Sequence, residues 1–137
     1  MVTRVGISLD QDLLDQFDRL IEKRGWPNRS EAVRDLIRDA LVQDEWEDDD
    51  KETVAAVVLV YDHHAQDLQH KLHEIQHRSH ASVVSTLHVH LDAHNCLEVV
   101  ILRGKTSEIR HMGDALIGAR GVRHGKFVGS TSGDRLR

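Results

Sequence analysis

The sequence predicts an α+β protein in two parts, a β-α-α unit over residues 1–43 and a βαββαβ domain over residues 53–137. Three observations predict this division. Apolar residues alternate with polar ones in some segments, as in strands, and recur every three or four positions in others, as in helices. Residues 44–52, DEWEDDDKE, form an acidic block that is typical of a solvated, poorly packed linker. All eleven histidines of the 137-residue chain follow that block.

Composition excludes several classes of protein. Apolar residues make up 39% of the chain and charged residues 30%, with a net charge of -5. No apolar run approaches the roughly 18 residues that a membrane span requires, and the N-terminal segment has no apolar core of a secretory signal. We therefore expect a cytoplasmic protein without membrane contact. The single cysteine, Cys96, cannot form an internal disulfide, so it serves as a thiol, a metal ligand or a packing residue.

Residues 4–9, RVGISL, alternate strictly between polar and apolar side chains, which predicts one half-buried strand. A single strand cannot satisfy its own backbone hydrogen bonds, so the simplest arrangement pairs the strands of two chains in an antiparallel ribbon. Dimerisation would then be obligatory. The inward face carries Val5, Ile7 and Leu9, and the outward face carries Arg4, Gly6 and Ser8.

Two helices follow this strand. Asp10 is a favourable N-cap for the first helix, which we expect to end at Gly25. Asn28 and Glu31 have the spacing of a capping box and predict the start of the second helix. The residues alone leave open whether this β-α-α unit binds DNA or only dimerises.

The β-α-α unit resembles the ribbon-helix-helix repressors, both in its order of elements and in residues 28–34, NRSEAVR, which are similar to the signature that opens their second helix. The resemblance implies binding to a double-stranded DNA operator, with the ribbon in the major groove and a phosphate at the second helix. Gly6 departs from the pattern, because a base-reading position is expected to carry a hydrogen-bonding side chain. The implied DNA-binding residues are Arg4, Gly6 and Ser8 at the base edges, and Asn28, Arg29 and Ser30 at the phosphate.

The order of elements expected over residues 53–137, βαββαβ, predicts a ferredoxin-like domain. Its first strand is a continuous apolar run, TVAAVVLVY, typical of a buried strand. A helix follows with apolar residues on one side and most of its histidines, among them His77, on the other. The predicted elements are a strand at 53–61, a helix at 63–80, strands at 83–91 and 96–103, a helix at 106–120 and a strand at 122–128.

The predicted hairpin concentrates the potential metal ligands. His88 and His90 lie two residues apart and share one face of a strand, so we expect Leu87, Val89 and Leu91 to face the helices instead. If the hairpin pairs His90 with Cys96, it also pairs His88 with Glu98. Two imidazoles and a thiolate could then ligate a metal, and Glu98 could accept a ring N–H and orient the ligands.

At these residues the chain resembles the NikR family of nickel-responsive repressors. The matching segments are TLHVH at 86–90, CLE at 96–98, QH at 76–77 and GVRHG at 121–125. The resemblance implies a ribbon-helix-helix domain, an ACT-type domain and a homotetramer built as a dimer of dimers. It also implies repression of nickel-uptake genes when nickel is bound.

The same resemblance implies one Ni²⁺ per subunit. The ligands would be His88, His90 and Cys96 of one subunit and His77 of a neighbouring subunit. Glu31 and Asp35, one turn apart on the second helix, match the ligands of a second metal ion that the family holds between its domains. The histidines at positions 63, 70, 73 and 80 receive no role.

Other functions stay open on the residues alone. The same ligands held in a plane suit nickel or copper, whereas a tetrahedral arrangement suits zinc. The ACT-type domain could instead sense a small molecule, and the histidines could store metal. A metalloenzyme is disfavoured, because four protein ligands close the coordination position that catalysis needs.

Overall fold

The computed structural model describes residues 1–78 and 80–136 and divides into two compact units, Met1–Ala40 and Leu41–Arg137. The first unit holds helix α1 (Gln11–Arg24) and the beginning of helix α2 (Arg29–Glu47). The predicted α+β fold class is confirmed. Across the described residues, no helix combines the length and the apolar character that crossing a lipid bilayer requires.

Both predicted helix starts of the first unit are confirmed. The Asp10 side chain accepts a hydrogen bond from the Asp12 amide at 3.0 Å, and the Asn28 side chain accepts one from the Glu31 amide at 2.9 Å. Each cap satisfies an amide that the first turn of a helix leaves without a partner. Helix α1 ends at Gly25, whose φ of 77° lies in the left-handed region that glycine adopts without strain.

The predicted strand at residues 4–9 does not form in the single chain. A strand exists only through backbone pairing, and no other strand of the described residues pairs with this segment. The three inward residues of the predicted ribbon remain exposed, with Val5 at 80%, Ile7 at 62% and Leu9 at 42%. The segment therefore leaves an alternating apolar face without cover.

The acidic block at residues 44–52 differs from the expected solvated linker. Residues 44–47 form the last turn of α2, and Trp46 is buried with 8% exposure. The Trp46 ring N–H donates to the carbonyl of Ser130 at 2.9 Å, and its ring meets Phe127 edge-on at 5.4 Å between centroids. One aromatic residue thus anchors the block in the second unit, where charge counting alone predicts exposure.

The second unit has the predicted βαββαβ order, with all neighbouring strands antiparallel and a sheet order of β2-β3-β1-β4. Helices cover one face of the sheet, and the core lies between them and alternate residues of β1. The elements are β1 (Glu52–Asp62), α3 (Gln66–Arg78), β2 (Ser82–His90), β3 (Asn95–Lys105), α4 (Thr106–Ile117) and β4 (Val122–Gly129).

The continuous apolar run forms the predicted strand β1, which is fully buried on one face only. Its residues alternate between buried and half-buried, with Val57 and Leu59 fully buried on the helix side. Within the described part of the second unit, helices α3 and α4 both lie on the other side of the sheet from the half-buried face. Its apolar side chains in β1 and β3 are therefore only partly covered.

Candidate metal centre

The register of the β2–β3 hairpin meets the condition on which the predicted ligand group depends. His90 pairs with Cys96, and His88 pairs with Glu98. Strand β1 pairs with the opposite edge of β3 and places Tyr61 directly across from Cys96. Because directly paired residues of antiparallel strands project to the same face, these five side chains share one side of the sheet.

The predicted orientation of strand β2 is wrong. Cys96 is fully buried on the helix-facing side, so its partner His90 lies on that side as well. Leu87 and Val89 instead face the open side, with 61% and 40% exposure. A period of two establishes which residues share a face, but the helices elsewhere in the chain decide which face they cover.

The two hairpin histidines lie near each other at the edge of the core. Their ring centroids are 5.3 Å apart, and the His88 ring meets Tyr61 edge-on at 6.1 Å. Glu98 accepts a hydrogen bond from the Tyr61 hydroxyl at 3.2 Å rather than from an imidazole. Burial and the nearby Glu98 carboxylate raise the pKa of Tyr61, so the hydroxyl stays protonated and donates.

Cys96 is the most enclosed of the predicted ligands. It has no exposed surface, and its thiol lies 3.5 Å from the Tyr61 carbonyl, to which it donates. Burial, the largest cause, raises the pKa of the Cys96 thiol. The Tyr61 side chain lowers this pKa by hydrogen bonding, and the carboxylates of Glu98 and Asp62 raise it. A thiolate at this position needs a neighbouring positive charge, which a bound divalent ion provides.

His63, a residue to which the sequence analysis gives no role, adjoins this group. Its ring lies 5.1 Å from the His90 ring, and its buried Nδ1 atom has no hydrogen-bond partner. Buried polar atoms are rarely left unsatisfied, so an unpartnered imidazole nitrogen beside the His90 ring fits a borderline divalent metal. No spacing rule in the sequence points to His63.

The fourth predicted ligand, His77, lies on α3 and is exposed. Its Nε2 atom is 2.9 Å from Nε2 of His73, one helical turn away. Within residues 1–78 and 80–136, the ligand atoms of His88, His90 and Cys96 do not all come within 4.8 Å of one another. A single chain therefore offers a partial ligand set at the hairpin.

The two carboxylates proposed for a second metal already have partners in the first unit. Glu31 forms an ion pair with Arg34, and Asp35 accepts a hydrogen bond from the Trp26 ring at 2.8 Å. Arg38 lies 3.3 Å from Asp35. Metal binding at Glu31 and Asp35 would have to displace these contacts, and it remains a prediction.

The residues with a predicted role at DNA are all exposed. Arg29 does not project freely: its guanidinium makes two hydrogen bonds to the carboxylate of Asp18, at 2.9 and 2.8 Å. That carboxylate raises the pKa of Arg29, and Arg29 lowers the pKa of Asp18. The sequence analysis missed Asp18, which lies eleven positions before its partner and on another helix. The outward residues Arg4, Gly6 and Ser8 form no paired strand in the single chain, and Asn28 and Ser30 flank the start of α2.

Together the alternating N-terminal segment, the two helices that follow it and the histidine–cysteine hairpin define a class of protein, a DNA-binding regulator with a metal-binding domain. Residues 3–44 match the family described as ribbon-helix-helix protein, copG family, and residues 54–129 match the NikR C terminal nickel binding domain. The chain belongs to the NikR family. It is a regulator and not an enzyme.

Similar proteins extend over nearly the whole chain. Relatives from Geobacter metallireducens and Geobacter sulfurreducens are each 59% identical over 133 residues, which cover 97% of this chain and 96% of the relative. A relative from Anaeromyxobacter dehalogenans is 55% identical over 139 residues, with 100% of both chains covered. All three are named as candidate nickel-responsive regulators.

Proposed function

We propose that this protein is a nickel-responsive transcriptional regulator that binds a double-stranded DNA operator in the cytoplasm and represses nickel-uptake genes when nickel is bound. The single observation that carries the proposal is the hairpin register, which places His88, His90 and Cys96 on one face. Membership of the NikR family and the names of its relatives agree with this function.

The proposed nickel ligands are His88, His90 and Cys96 of one subunit and His77 of a second subunit, with one ion per subunit. A bound nickel ion supplies the positive charge that favours a thiolate at Cys96. Cys96 and the two imidazoles hold the hairpin side of the site, while the exposed His77 is free to reach another chain once it leaves His73. Glu98 and Tyr61, hydrogen-bonded to each other beside Cys96, limit the movement of the ligands.

The proposed assembly is a homotetramer, a dimer of dimers. Two uncovered apolar surfaces support it. The first is the alternating face at residues 5–9, which a second chain would pair into a ribbon. The second is the open side of the sheet, where Leu87 and Val89 are exposed beside the half-buried residues of β1.

Coupling between metal and DNA follows from this assembly. Because His77 would come from a second subunit, nickel binding would connect two chains and favour one arrangement of their DNA-binding pairs. Glu31 and Asp35 would hold a second ion between the domains in the DNA-bound state. Repression then requires that the nickel-bound arrangement match the operator half-sites better than the metal-free one.

A nickel titration followed by absorbance tests the proposal. We expect a thiolate-to-metal band that saturates at one nickel ion per chain in the wild type and is absent in Cys96→Ala. The matched control is His111→Ala, which removes an exposed histidine of α4 and should leave the band unchanged. Operator sequences selected from a random duplex library should bind the wild type only with nickel present.

The same titration separates the alternatives. A band that persists in Cys96→Ala would contradict the proposed ligand set. Equal DNA binding with and without nickel would exclude nickel-dependent repression and favour another metal or a small molecule as the effector. Storage predicts several tightly bound ions per chain with no effect on DNA affinity.

A further inference from the structure

A second group of potential ligands lies at the end of β1 and the tip of the β2–β3 hairpin. We name Asp62, His64 and His94 the hairpin-tip cluster. Their ligand atoms all lie within 4.8 Å of one another, and they are the one such group of three among residues 1–78 and 80–136. None of the three belongs to the nickel ligand set proposed above. We propose that the hairpin-tip cluster is a further metal site, distinct from both sites proposed above and contained within one chain, for a divalent transition-metal ion.

The donor types suit this class of ion. Two imidazoles and one carboxylate are ligands that nickel, zinc and cobalt all accept, whereas magnesium and calcium prefer oxygen alone. Metal–ligand bonds of about 2.0–2.2 Å require only a modest contraction of the cluster. Both histidine side chains are exposed, so small rotations can provide it, and water can complete the coordination.

The backbone already brings the three residues together. The His63 amide donates to the His94 carbonyl at 3.0 Å, which joins the turn after β1 to the hairpin tip. The Asp92 carboxylate accepts hydrogen bonds from the amides of His94 and Asn95 at 2.8 and 2.7 Å. These bonds order the loop without a ligand. Metal binding therefore does not have to overcome the loss of conformational entropy that ordering the loop would cost.

His64 is also oriented as a metal-binding histidine commonly is. Its Nε2 atom lies 3.0 Å from the carbonyl oxygen of Ala93. A carbonyl oxygen can only accept a hydrogen bond, so Nε2 carries the proton in this contact. In the neutral ring Nδ1 then keeps its lone pair, which is the arrangement in which a backbone carbonyl orients a ligating imidazole.

One neighbouring cation opposes binding. A guanidinium nitrogen of Arg123 lies 3.6 Å from the Asp62 carboxylate, and Arg123 also donates to the side chain of Asn95. A metal ion would share Asp62 with this guanidinium and be repelled by it. Arg123 therefore weakens the hairpin-tip cluster relative to the proposed site with its thiolate.

Metal counting on the full-length protein tests the inference. Wild type, Cys96→Ala, His64→Ala/His94→Ala and the control His80→Ala/His111→Ala are dialysed to equilibrium against Ni²⁺ and, separately, Zn²⁺, and metal per chain is measured. The control also removes two exposed histidines, but neither belongs to the cluster. In the wild type and in the two histidine double variants, the thiolate-to-metal band reports whether the fold and the Cys96 site are intact.

We expect His64→Ala/His94→Ala to bind one ion fewer per chain than the control while keeping the thiolate band. Cys96→Ala should lose the band and retain the cluster ion. The inference is overturned if the cluster variant and its control bind the same number of ions. A separate outcome bears on the proposed nickel regulation: absence of the thiolate-to-metal band in the wild type would contradict it.

Two single substitutions sharpen the test. Asp62→Asn keeps the shape of the side chain but removes its charge, and we expect it to weaken the cluster site by about tenfold or more, the scale of losing one supporting interaction at a metal. Arg123→Gln removes the competing cation and should tighten the site by about 15-fold, as expected for a divalent ion and a unit charge roughly 5 Å apart in water. Unchanged affinity in both variants would contradict the assignment.

Discussion

At the scale of single residues, Arg29 shows how a contact can change the role that a sequence suggests. The resemblance to ribbon-helix-helix repressors implies that Arg29 contacts a DNA phosphate, yet its guanidinium is held by Asp18 through two hydrogen bonds. An arginine that binds a carboxylate in this way is oriented but also partly neutralised. Asp18 therefore both positions the guanidinium and competes with a phosphate for it.

The Asp18–Arg29 pair predicts a pH-dependent contribution to stability. The pKa of Asp18 is lowered in the folded protein, chiefly by the hydrogen bond from Arg29. A lowered pKa means that the contribution is complete above the unfolded value near 4 and is lost as the pH falls through the folded value. We expect Asp18→Asn to lower the urea midpoint at pH 7, with a difference from wild type that shrinks in acid.

The control for this measurement is Asp39→Asn, which neutralises an exposed carboxylate of α2. Its difference from the wild type should be smaller at pH 7 than that of Asp18→Asn. An Asp18→Asn difference that stayed constant from pH 7 to pH 3 would show that the ion pair does not produce it.

At the scale of elements, close packing between α4 and β4 depends on a glycine. A Cβ atom added at Gly125 would lie 2.7 Å from Cγ1 and 2.8 Å from Cγ2 of Ile117. Ile117 is a branched residue of α4 and has few ways to move aside. The helix can lie this close to the strand because Gly125 has no side chain.

We predict that Gly125→Ala lowers the free energy of unfolding by about 1–3 kcal/mol, the usual cost of overpacking. Gly6→Ala is the matched control, since nothing lies within 4 Å of a Cβ atom at that position, and its effect should stay within about 0.5 kcal/mol. Chemical unfolding measures both. Equal losses in the two variants would contradict a specific clash with Ile117.

Also at this scale, much of the candidate metal centre was predictable. The His–x–His spacing was sufficient to place His88 and His90 on one face of a strand, whereas the pairing of His90 with Cys96 was a condition that the structure meets. The side of the sheet on which this face lies was not predictable, because it depends on α3 and α4 rather than on the hairpin. His63 escaped prediction for the same reason, since its proximity to His90 arises from the folding of β1 against β3.

At the scale of the whole molecule, the single chain leaves large apolar side chains exposed in both units. Ile7 is 62% exposed and Leu13 is 54% exposed in the first unit, and Leu87 is 61% exposed in the second. Isolated exposed apolar residues are ordinary, but alternating rows along a segment or a sheet face favour association. These rows agree with the proposed dimer of dimers.

We predict that Ile7→Lys separates the tetramer into dimers and lowers operator affinity at least 100-fold, because a buried charge would prevent strand pairing in the ribbon. Val89→Lys lies on the open face of the sheet. It should also reduce the assembly from tetramer to dimer, but by disrupting the interface at the sheet rather than the ribbon. Ser8→Ala, on the outward side of the same segment as Ile7, should keep the tetramer. Light scattering and mobility shifts measure both effects, and an intact Ile7→Lys tetramer would contradict the ribbon.

The sequence by itself determined the helix caps, the βαββαβ order and the shared strand face of His88 and His90, because each depends on residues a few positions apart. Only the tertiary structure decided that Trp46 is buried, that Arg29 is held by Asp18 and that Leu87 and Val89 face away from the helices. It alone brought Asp62, His64 and His94 together. These features depend on contacts between segments distant in the chain, and alternation or spacing within one segment carries no information about what will lie opposite it.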